Sequence, residues 1–199
     1  GYPRDHMIQY DRETKKKKDL GRISSVNPQA LFSDSKSRIW TTDDYGHLVR
    51  YDPAIDRIER SPYVLPHNPE YQTGWHSVFY DVAPSPEGDC VYAVTWNGSS
   101  RLTRIWPEEG EWGRVEDLGP VTPDHDPTLP ENFFIDHSGG LVFGADGQLY
   151  FVASRWKGDF PSRDEIFVEL KPDVAVEGVV WRVDPETCEK EEVTVLKRP

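Results

Sequence analysis

A short pattern that recurs four times along the 199 residues limits the possible folds more than any other feature. Each copy reads as a strand that runs into a turn. Most copies end in Asp-Pro or Asp-x-Glu-Thr, where aspartate side chains and the fixed φ of proline favour chain reversal. The four copies are residues 8–11, 49–53, 103–107 and 181–185. A pattern repeated in this way indicates a repeat architecture.

Each copy belongs to a longer unit of four predicted strands. A further strand follows every copy, at 17–23, 57–65, 113–121 and 191–196. Two of these strands share the tripeptide Asp-Leu-Gly, at 19–21 and 117–119. Three copies are preceded by a hairpin, within 31–40, 81–94 and 141–152, and two of these hairpins contain the strong turn signals Pro-Glu-Gly-Asp and Asp-Gly. The unit is therefore four antiparallel strands, labelled A to D in chain order.

The length of this unit matches one blade of a β-propeller. The turn residues Asp11 and Asp52 are 41 residues apart, and a blade takes roughly 40 to 50 residues. The sequence therefore predicts an all-β fold, a β-propeller of four-stranded antiparallel blades with about three and a half blades present. The chain is predicted to be one propeller region, with a half blade at 1–24, blades at 28–66, 76–123 and 138–199, and an inserted loop at 155–177.

The blade pattern resembles a known group of propeller repeats. The match is carried by Ala-Asp-Gly-Gln-Leu-Tyr at 145–150 and by Gly-Val-Val-Trp-Arg-Val-Asp-Pro at 178–185. These residues are similar to the repeats of streptogramin lyases, gluconolactonases and NHL-type propellers. The resemblance implies a propeller of six or seven blades. It also implies a hydrolase, a lyase or a binding module, because one fold hosts all three.

Fourteen predicted strands leave the propeller incomplete, because closed propellers have four or more four-stranded blades. An open arc exposes strand edges that invite pairing with other chains. The chain could be a fragment of a longer reading frame, a proteolytic product, or one part of an assembly with another copy or another chain. A small open β-sheet domain that needs no further blades is the remaining alternative.

Two histidines occupy matching positions in adjacent predicted blades. His76 and His137 are each followed by serine and each precede strand A. Both side chains are therefore expected at one end of the propeller channel. Two imidazoles there could bind a divalent metal ion or act as acid and base. The alternative is that both histidines hydrogen bond to backbone carbonyl groups where the strands begin.

A second candidate group follows strand B. Arg155 and Trp156 begin the longest insertion, and Tyr45 and His47 fall at the corresponding point of an earlier blade. An arginine beside aromatic rings could hold a carboxylated sugar through bidentate hydrogen bonds and ring stacking. Trp75, which precedes the first histidine, completes the predicted substrate-binding set. The alternative is that these aromatic side chains pack between blades.

The charge of the chain excludes some partners. A net charge of −12 disfavours a nucleic-acid partner, which normally needs a basic face. The basic run 15–18 falls in a predicted hairpin and is expected to be solvated. No apolar run approaches membrane-spanning length, so no membrane partner is expected. Cys90 and Cys188 are expected to be unpaired thiols. The compartment stays open between the cytoplasm and a secreted or periplasmic location.

Two classes of function fit these observations. The first is a lyase or lactonase that acts on a sugar acid or polysaccharide, with the histidines as base or as ligands of a divalent metal ion. The second is a non-catalytic module that binds glycan or protein, or a fragment that another chain completes. The sequence lacks a Gly-rich phosphate loop, Gly-x-Ser-x-Gly and His-Glu-x-x-His. Nucleotide-dependent and serine-hydrolase chemistry are therefore unsupported.

Overall fold

The computed structural model describes residues 5–24, 29–67, 78–96, 101–121, 138–157 and 175–196. These residues form fourteen strands, arranged as one two-stranded and three four-stranded antiparallel sheets. Neighbouring strands follow each other in chain order, so every sheet is a simple meander. Within these ranges, none of the chain forms a helix that is long and apolar enough to span a membrane.

The strands divide among the sheets as follows. Sheet 1 contains β1 (Asp5–Tyr10) and β2 (Lys17–Ser24). Sheet 2 contains β3 (Phe32–Ser33), β4 (Ile39–Thr42), β5 (His47–Asp52) and β6 (Arg57–Val64). Sheet 3 contains β7 (Val78–Pro84), β8 (Val91–Trp96), β9 (Arg101–Trp106) and β10 (Arg114–Pro120). Sheet 4 contains β11 (Ser138–Phe143), β12 (Leu149–Lys157), β13 (Ala175–Val183) and β14 (Lys190–Leu196).

Side chains alternate between the two faces of each sheet, as the pleated backbone requires. In β13, Val179, Trp181 and Val183 are buried against sheet 3. The same alternation in β5 buries Val49 and Tyr51 against sheet 1. In each of these two sheets, one face therefore packs against the preceding sheet, and the opposite face points away from it.

Buried clusters fill the spaces between consecutive sheets. The cluster between sheets 1 and 2 contains Met7, Ile23, Val49 and Tyr51. The cluster between sheets 2 and 3 contains Phe32, Trp40, Leu48, Leu65, Phe79, Val91, Ala93 and Ile105. The largest cluster lies between sheets 3 and 4 and includes Leu102, Leu149, Phe151 and Trp181. Each large buried side chain contributes about 1.5–3 kcal/mol, so the sheets stabilise one another by stacking.

Four-stranded meanders that stack face to face in chain order are the blades of a β-propeller. The predicted fold class is confirmed. The described sheets form an open arc of three and a half blades, since sheet 1 contributes two strands and the other sheets contribute four each.

Polar contacts fix the last hairpin of one sheet to the sheet before it. Between sheets 2 and 3, Arg50 Nη1 donates to the carbonyl oxygen of Glu111. Between sheets 3 and 4, Arg104 Nη1 donates to the carbonyl oxygen of Pro185 at 2.9 Å. Backbone acceptors in turns thus supplement the apolar clusters in joining the blades.

The repeated Asp-Leu-Gly tripeptide marks the same β-bulge in sheets 1 and 3. Gly21 and Gly119 have φ of 116° and 85°, values that glycine adopts without strain. Their N–H groups donate to Asp19 Oδ1 and Asp117 Oδ1 at 2.9 and 3.0 Å. The pairing register shifts near both tripeptides. The repetition in sequence therefore reflects a repeated local conformation.

Each observed sheet lies within one of the predicted blade ranges, but the predicted loop at 155–177 is too long. Strands β12 and β13 pair as far as Lys157 and Ala175, so 155–157 and 175–177 belong to the ladder. Both segments contain charged residues, at Arg155, Lys157 and Glu177, but ladder hydrogen bonds come from the backbone and need no continuous run of apolar side chains. The remaining connection, 158–174, lies outside the described residues.

The basic run and the cysteines behave as the sequence predicts. Residues 15–18 are exposed, and Lys15 lies in the β1–β2 turn with φ of 58°. Cys90 and Cys188 are free thiols. Cys90 is buried, and desolvation raises the pKa of its thiol.

Candidate functional site

The two ends of the sheets carry different kinds of connection. Because consecutive strands are antiparallel, connections leave alternately at opposite ends. The A–B and C–D connections define the hairpin end, and the B–C and D–A connections define the loop end. The three longest connections, 65–77, 121–137 and 158–174, all belong to the loop end. At the hairpin end, no connection is longer than 107–113.

Aspartate side chains close the turns of the hairpin end. Asp11 Oδ1 accepts the N–H groups of Glu13 and Thr14 at 2.8 and 3.0 Å. Asp184 repeats this turn in sheet 4, with distances of 2.8 and 2.9 Å. Bonds from the backbone N–H groups of Thr14 and Thr187 hold the pKa of these two carboxyl groups below the usual value. These carboxylates serve the turns, so the loop end is the candidate functional site.

The predicted residues Trp75, His76 and His137 lie outside the described residues. They precede β7 and β11, the first strands of sheets 3 and 4. These two strands are neighbours, and the N–H of Leu141 donates to Asp81 Oδ2 at 2.8 Å across them. The segments that carry the two histidines therefore enter adjacent strands from the loop end. Their chemical roles stay predictions.

The turn between β4 and β5 holds Tyr45 and His47 at the loop end of sheet 2. Asp43, which is 6% exposed, fixes this turn because its Oδ1 accepts both of their N–H groups at 3.0 Å. Arg60 Nε lies 3.4 Å from the other oxygen of Asp43. The Tyr45 side chain is 58% exposed. His47 Nδ1 donates to the carbonyl oxygen of Ser61 at 2.9 Å, which leaves Nε2 for other contacts.

Arg155 and Trp156 belong to the last part of β12. Their backbone pairs with Glu177 and Val176 of β13, where the strands meet the 158–174 connection. This position is the loop end of sheet 4. Sheet 3 stands between sheets 2 and 4, so the structure does not place these residues in the same sheet-to-sheet contact as Tyr45.

An arginine and an aspartate at the loop end of sheet 3 form an ion pair with each other. Arg101 donates from Nε and Nη2 to the two carboxylate oxygens of Asp117 at 2.8 and 2.6 Å. Among the described residues, no three His, Cys, Asp or Glu side chains are grouped to hold a metal ion. His76 and His137 lie outside those residues, so the metal prediction is not tested.

The structure brings out one set of polar residues that was not predicted from the sequence. Arg50, Arg104 and Arg182 each stand three residues before the proline of the repeated pattern, which is Pro53, Pro107 or Pro185. Each pairs across the C and D strands with a glutamate of the same sheet. The signal that could identify them is an arginine at the same position in three of the four repeats.

Comparison with known proteins gives similar solved structures. No family model matches the chain, and no curated protein sequence matches it. A candidate 6-phosphogluconolactonase from Bacteroides fragilis is 13% identical, with a TM-score of 0.48 over 98% of this chain. One from Bacteroides uniformis is 14% identical, with a TM-score of 0.44 over 96%. The periplasmic gluconolactonase PpgL of Pseudomonas aeruginosa is 16% identical, with a TM-score of 0.39 over 98%.

This chain spans 49% of the first of those chains and 64% of each of the other two. Their activities are properties of those longer proteins. For this chain the stacked four-stranded meanders decide the architecture. It is a β-propeller arc.

Proposed function

We propose that the loop end of this propeller arc binds a sugar acid derivative and hydrolyses a sugar lactone, with His76 and His137 as the acid–base pair. One observation supports this assignment above the others. The three longest connections belong to the loop end, and the two that contain His76 and His137 precede the adjacent strands β7 and β11. The repeat pattern at 145–150 and 178–185, which resembles that of gluconolactonases and propeller lyases, agrees with it.

The proposed reaction needs one base and one acid. One imidazole takes a proton from a water molecule as the water oxygen attacks the lactone carbonyl carbon. The ring C–O bond then breaks, and the second imidazole gives a proton to the departing ring oxygen. The product is an open-chain hydroxy acid. Histidine suits both steps because its ordinary pKa lies near neutrality.

Other loop-end residues supply the proposed recognition. Tyr45 offers an exposed ring on which a sugar can stack, and Trp75 and Trp156 are proposed to add further aromatic contacts. Arg155 is proposed to hold the carboxylate. A cation there is needed because the net charge of −12 repels anions.

The test is lactone hydrolysis above the spontaneous rate. The purified chain is offered a panel of aldonic and uronic lactones at constant pH, and acid release is titrated. His76→Ala and His137→Ala are each expected to lower kcat about 100-fold or more, since general acid–base catalysis contributes 10²–10⁴. His6→Ala is the matched control, because His6 lies on β1 and pairs with Asp19 at 2.9 Å. Hydrolysis that equals the blank for every lactone, or that survives both histidine substitutions, overturns the proposal.

The same preparation separates two neighbouring possibilities. Metal analysis of the wild type and both histidine variants tests whether the imidazoles hold a divalent cation, since neutral imidazole is a common metal ligand. A binding module is favoured by the exposed ring of Tyr45. It would give glycan binding in calorimetry that Tyr45→Ala weakens, with no hydrolysis of any lactone.

A further inference from the structure

Three sheets carry the same group of residues across strands B, C and D. The groups are Trp40–Arg50–Glu59 in sheet 2, Tyr92–Arg104–Glu116 in sheet 3, and Tyr150–Arg182–Glu191 in sheet 4. In each group the arginine stands in register between an aromatic residue and a glutamate. Residues paired in register share one face of a sheet. We refer to these groups as arginine triads.

In sheet 3 the triad binds the hairpin of the following sheet. Arg104 donates from Nε and Nη2 to Glu116 Oε2 at 3.0 and 2.6 Å, and from Nη1 to the carbonyl oxygen of Pro185 at 2.9 Å. The hydroxyl of Tyr92 donates to the same carbonyl oxygen at 3.3 Å. The guanidinium carbon lies 4.7 Å from the ring centre of Trp106. The triad is therefore a receptor for a turn carbonyl group.

The triad in sheet 2 does the same. Arg50 donates from Nε and Nη2 to Glu59 Oε2 at 3.0 and 2.9 Å, and from Nη1 to the carbonyl oxygen of Glu111 in the hairpin of sheet 3. Its guanidinium carbon lies 4.3 Å from the ring centre of Trp112 and 5.5 Å from that of Trp40. Two of the three triads thus hold a hairpin of the next sheet.

In sheet 4 the triad is present, but none of the described residues follows it as a sheet. The Arg182 side chain is 41% exposed and bonds to Glu191. The hydroxyl of Tyr150 donates to Asp146 Oδ2 at 2.7 Å. Val142, which pairs with Tyr150 and shares its face, is 55% exposed. This face carries the same three residue types as the other two triads, and among the described residues no turn carbonyl group bonds to Arg182.

Sheet 1 carries a hairpin of the type that such a receptor takes. Its turn reads Asp-Arg-Glu-Thr at 11–14, and the hairpin that sheet 3 binds reads Asp-Pro-Glu-Thr at 184–187. Both turns have the same aspartate bonds to the second and third following N–H groups. Arg12 therefore has the same place in its turn as Pro185. Its carbonyl group corresponds to the Pro185 carbonyl group that Arg104 binds.

The free face of sheet 1 is apolar where a preceding sheet would contact it. Ile8 and Tyr10 are each 50% exposed. Val49 and Tyr51 hold the same repeat positions in sheet 2 and are 0% and 6% exposed, because sheet 1 covers them. The exposed pair marks a surface that in the other sheets lies inside a sheet-to-sheet core.

Charge also matches between these two free faces. The hairpin of sheet 1 carries Arg12 and the exposed lysines of 15–17, whereas Lys18 pairs with Asp56 of sheet 2 in its own chain. The free face of sheet 4 carries Asp146 and Glu191. A local attraction of this kind can bring together two chains that each have a net charge of −12.

We propose that the free face of sheet 4 binds sheet 1 of a second copy of this chain, with Arg182 donating to the carbonyl oxygen of Arg12. The contact joins two different surfaces, so it is heterologous. Two such contacts related by a twofold axis close a ring of two copies. The proposal does not depend on the proposed lactone chemistry.

The first experiment is sedimentation equilibrium of the full chain over a range of concentrations. The wild type is expected to associate, and Arg182→Ala to raise the dissociation constant at least tenfold. Arg57→Ala is the matched control, because Arg57 is an exposed arginine of sheet 2 and lies on neither proposed surface. Its association should equal that of the wild type. Circular dichroism and thermal unfolding of every variant show whether it is folded.

A mixing experiment tests the head-to-tail geometry. Arg182→Glu disables the sheet 4 surface, and Tyr10→Asp disables the sheet 1 surface, so each variant alone is expected to be a monomer. Their mixture keeps one intact surface of each kind and is expected to form a heterodimer. A wild type that stays monomeric at every concentration, including one whose Arg182 is covered by a further part of its own polypeptide, overturns the proposal. So does an associating wild type with a mixture that does not associate.

Discussion

The arginine triads of sheets 2, 3 and 4 have the same register and similar residue types. The triads of sheets 2 and 3 differ from that of sheet 4 in what packs against them. The side chains of Arg50 and Arg104 are 10% and 19% exposed, and each bonds to a backbone carbonyl group of the next sheet. Arg182 has the same position and the same glutamate partner but is 41% exposed. The difference shows that a triad connects two sheets only where a following sheet packs against it.

Energetics follow the same division. A largely buried arginine that stacks on aromatic rings and bonds to a carboxylate and a carbonyl group makes several strong contacts at once. An exposed arginine–glutamate pair contributes about 0–1 kcal/mol, because water screens it and ordering two long side chains costs entropy. The contribution of each triad to the free energy of unfolding therefore depends on what packs against that face of the sheet.

The largest expected effect is that of Arg50→Ala. The substitution leaves Glu59, whose side chain is 17% exposed, without Arg50, and it leaves the carbonyl group of Glu111 without that donor. Glu59 keeps its bond to Arg57, so we expect a loss of about 1.5–3 kcal/mol in the free energy of unfolding, the usual contribution of hydrogen bonds to charged groups. Urea unfolding followed by tryptophan fluorescence measures it. A loss no greater than that of Arg182→Ala would show that burial does not distinguish the triads.

Acid should weaken the sheet 2 triad through Glu59. Hydrogen bonds from Arg57 and Arg50 hold the pKa of Glu59 below its usual 4.5. A carboxyl group with a lowered folded-state pKa stabilises the fold above its unfolded pKa and loses that contribution as the pH falls through the folded value. The stability difference between wild type and Glu59→Gln is therefore expected to be constant near neutral pH and to shrink below pH 4.5. A difference that grows in acid would contradict the assignment.

Tyr92→Phe and Tyr150→Phe each remove one hydroxyl group, from the covered triad of sheet 3 and from the exposed triad of sheet 4. The Tyr92 hydroxyl contacts the carbonyl oxygen of Pro185 and Arg104 Nη1 at 3.3 and 3.2 Å. Its removal is expected to cost about 1 kcal/mol, the usual net value of a hydrogen bond. The Tyr150 hydroxyl contacts Asp146 at the surface, and its removal should cost less than half as much. Equal losses in urea unfolding would remove the distinction between the sheets.

The smallest effect is expected for Arg182→Ala in dilute protein. Its pair with Glu191 is exposed on both sides, so the free energy of unfolding should stay close to that of the wild type. At high protein concentration the same substitution should lower the thermal midpoint, because the wild type gains stability from association. A substantial loss in dilute protein would mean that Arg182 already has a structural partner within its own chain.

Much of the fold could be read from local sequence signals. Aspartate turns, Asp-Gly hairpins and the Asp-Leu-Gly bulge act over a few residues, and the strands follow them closely. The ends of β12 and β13 could not be read, because the pairing of 155–157 with 175–177 is a backbone property and both segments contain charged residues. The acceptors of the triads also escaped prediction. The oxygen atoms of Glu111 and Pro185 belong to the backbone, and any residue could supply them.

For the candidate site, the structure describes two of the predicted residues in full. The turn that carries Tyr45 and His47 is at the loop end, and the bond from His47 Nδ1 to the carbonyl oxygen of Ser61 sets which ring nitrogen is free. That bond depends on where β6 lies beside β5, a tertiary feature without a local signal. The roles of His76 and His137 need the kinetic test.

The most direct test of the difference between the sheets is amide hydrogen exchange of the full chain at low and high protein concentration. Opening of the two end sheets should limit exchange in β1 and in the outer strands of sheet 4. We predict that protection of these strands rises with concentration in the wild type but not in Arg182→Ala, while protection of sheets 2 and 3 stays constant. Exchange in the end sheets that is independent of concentration would contradict the account.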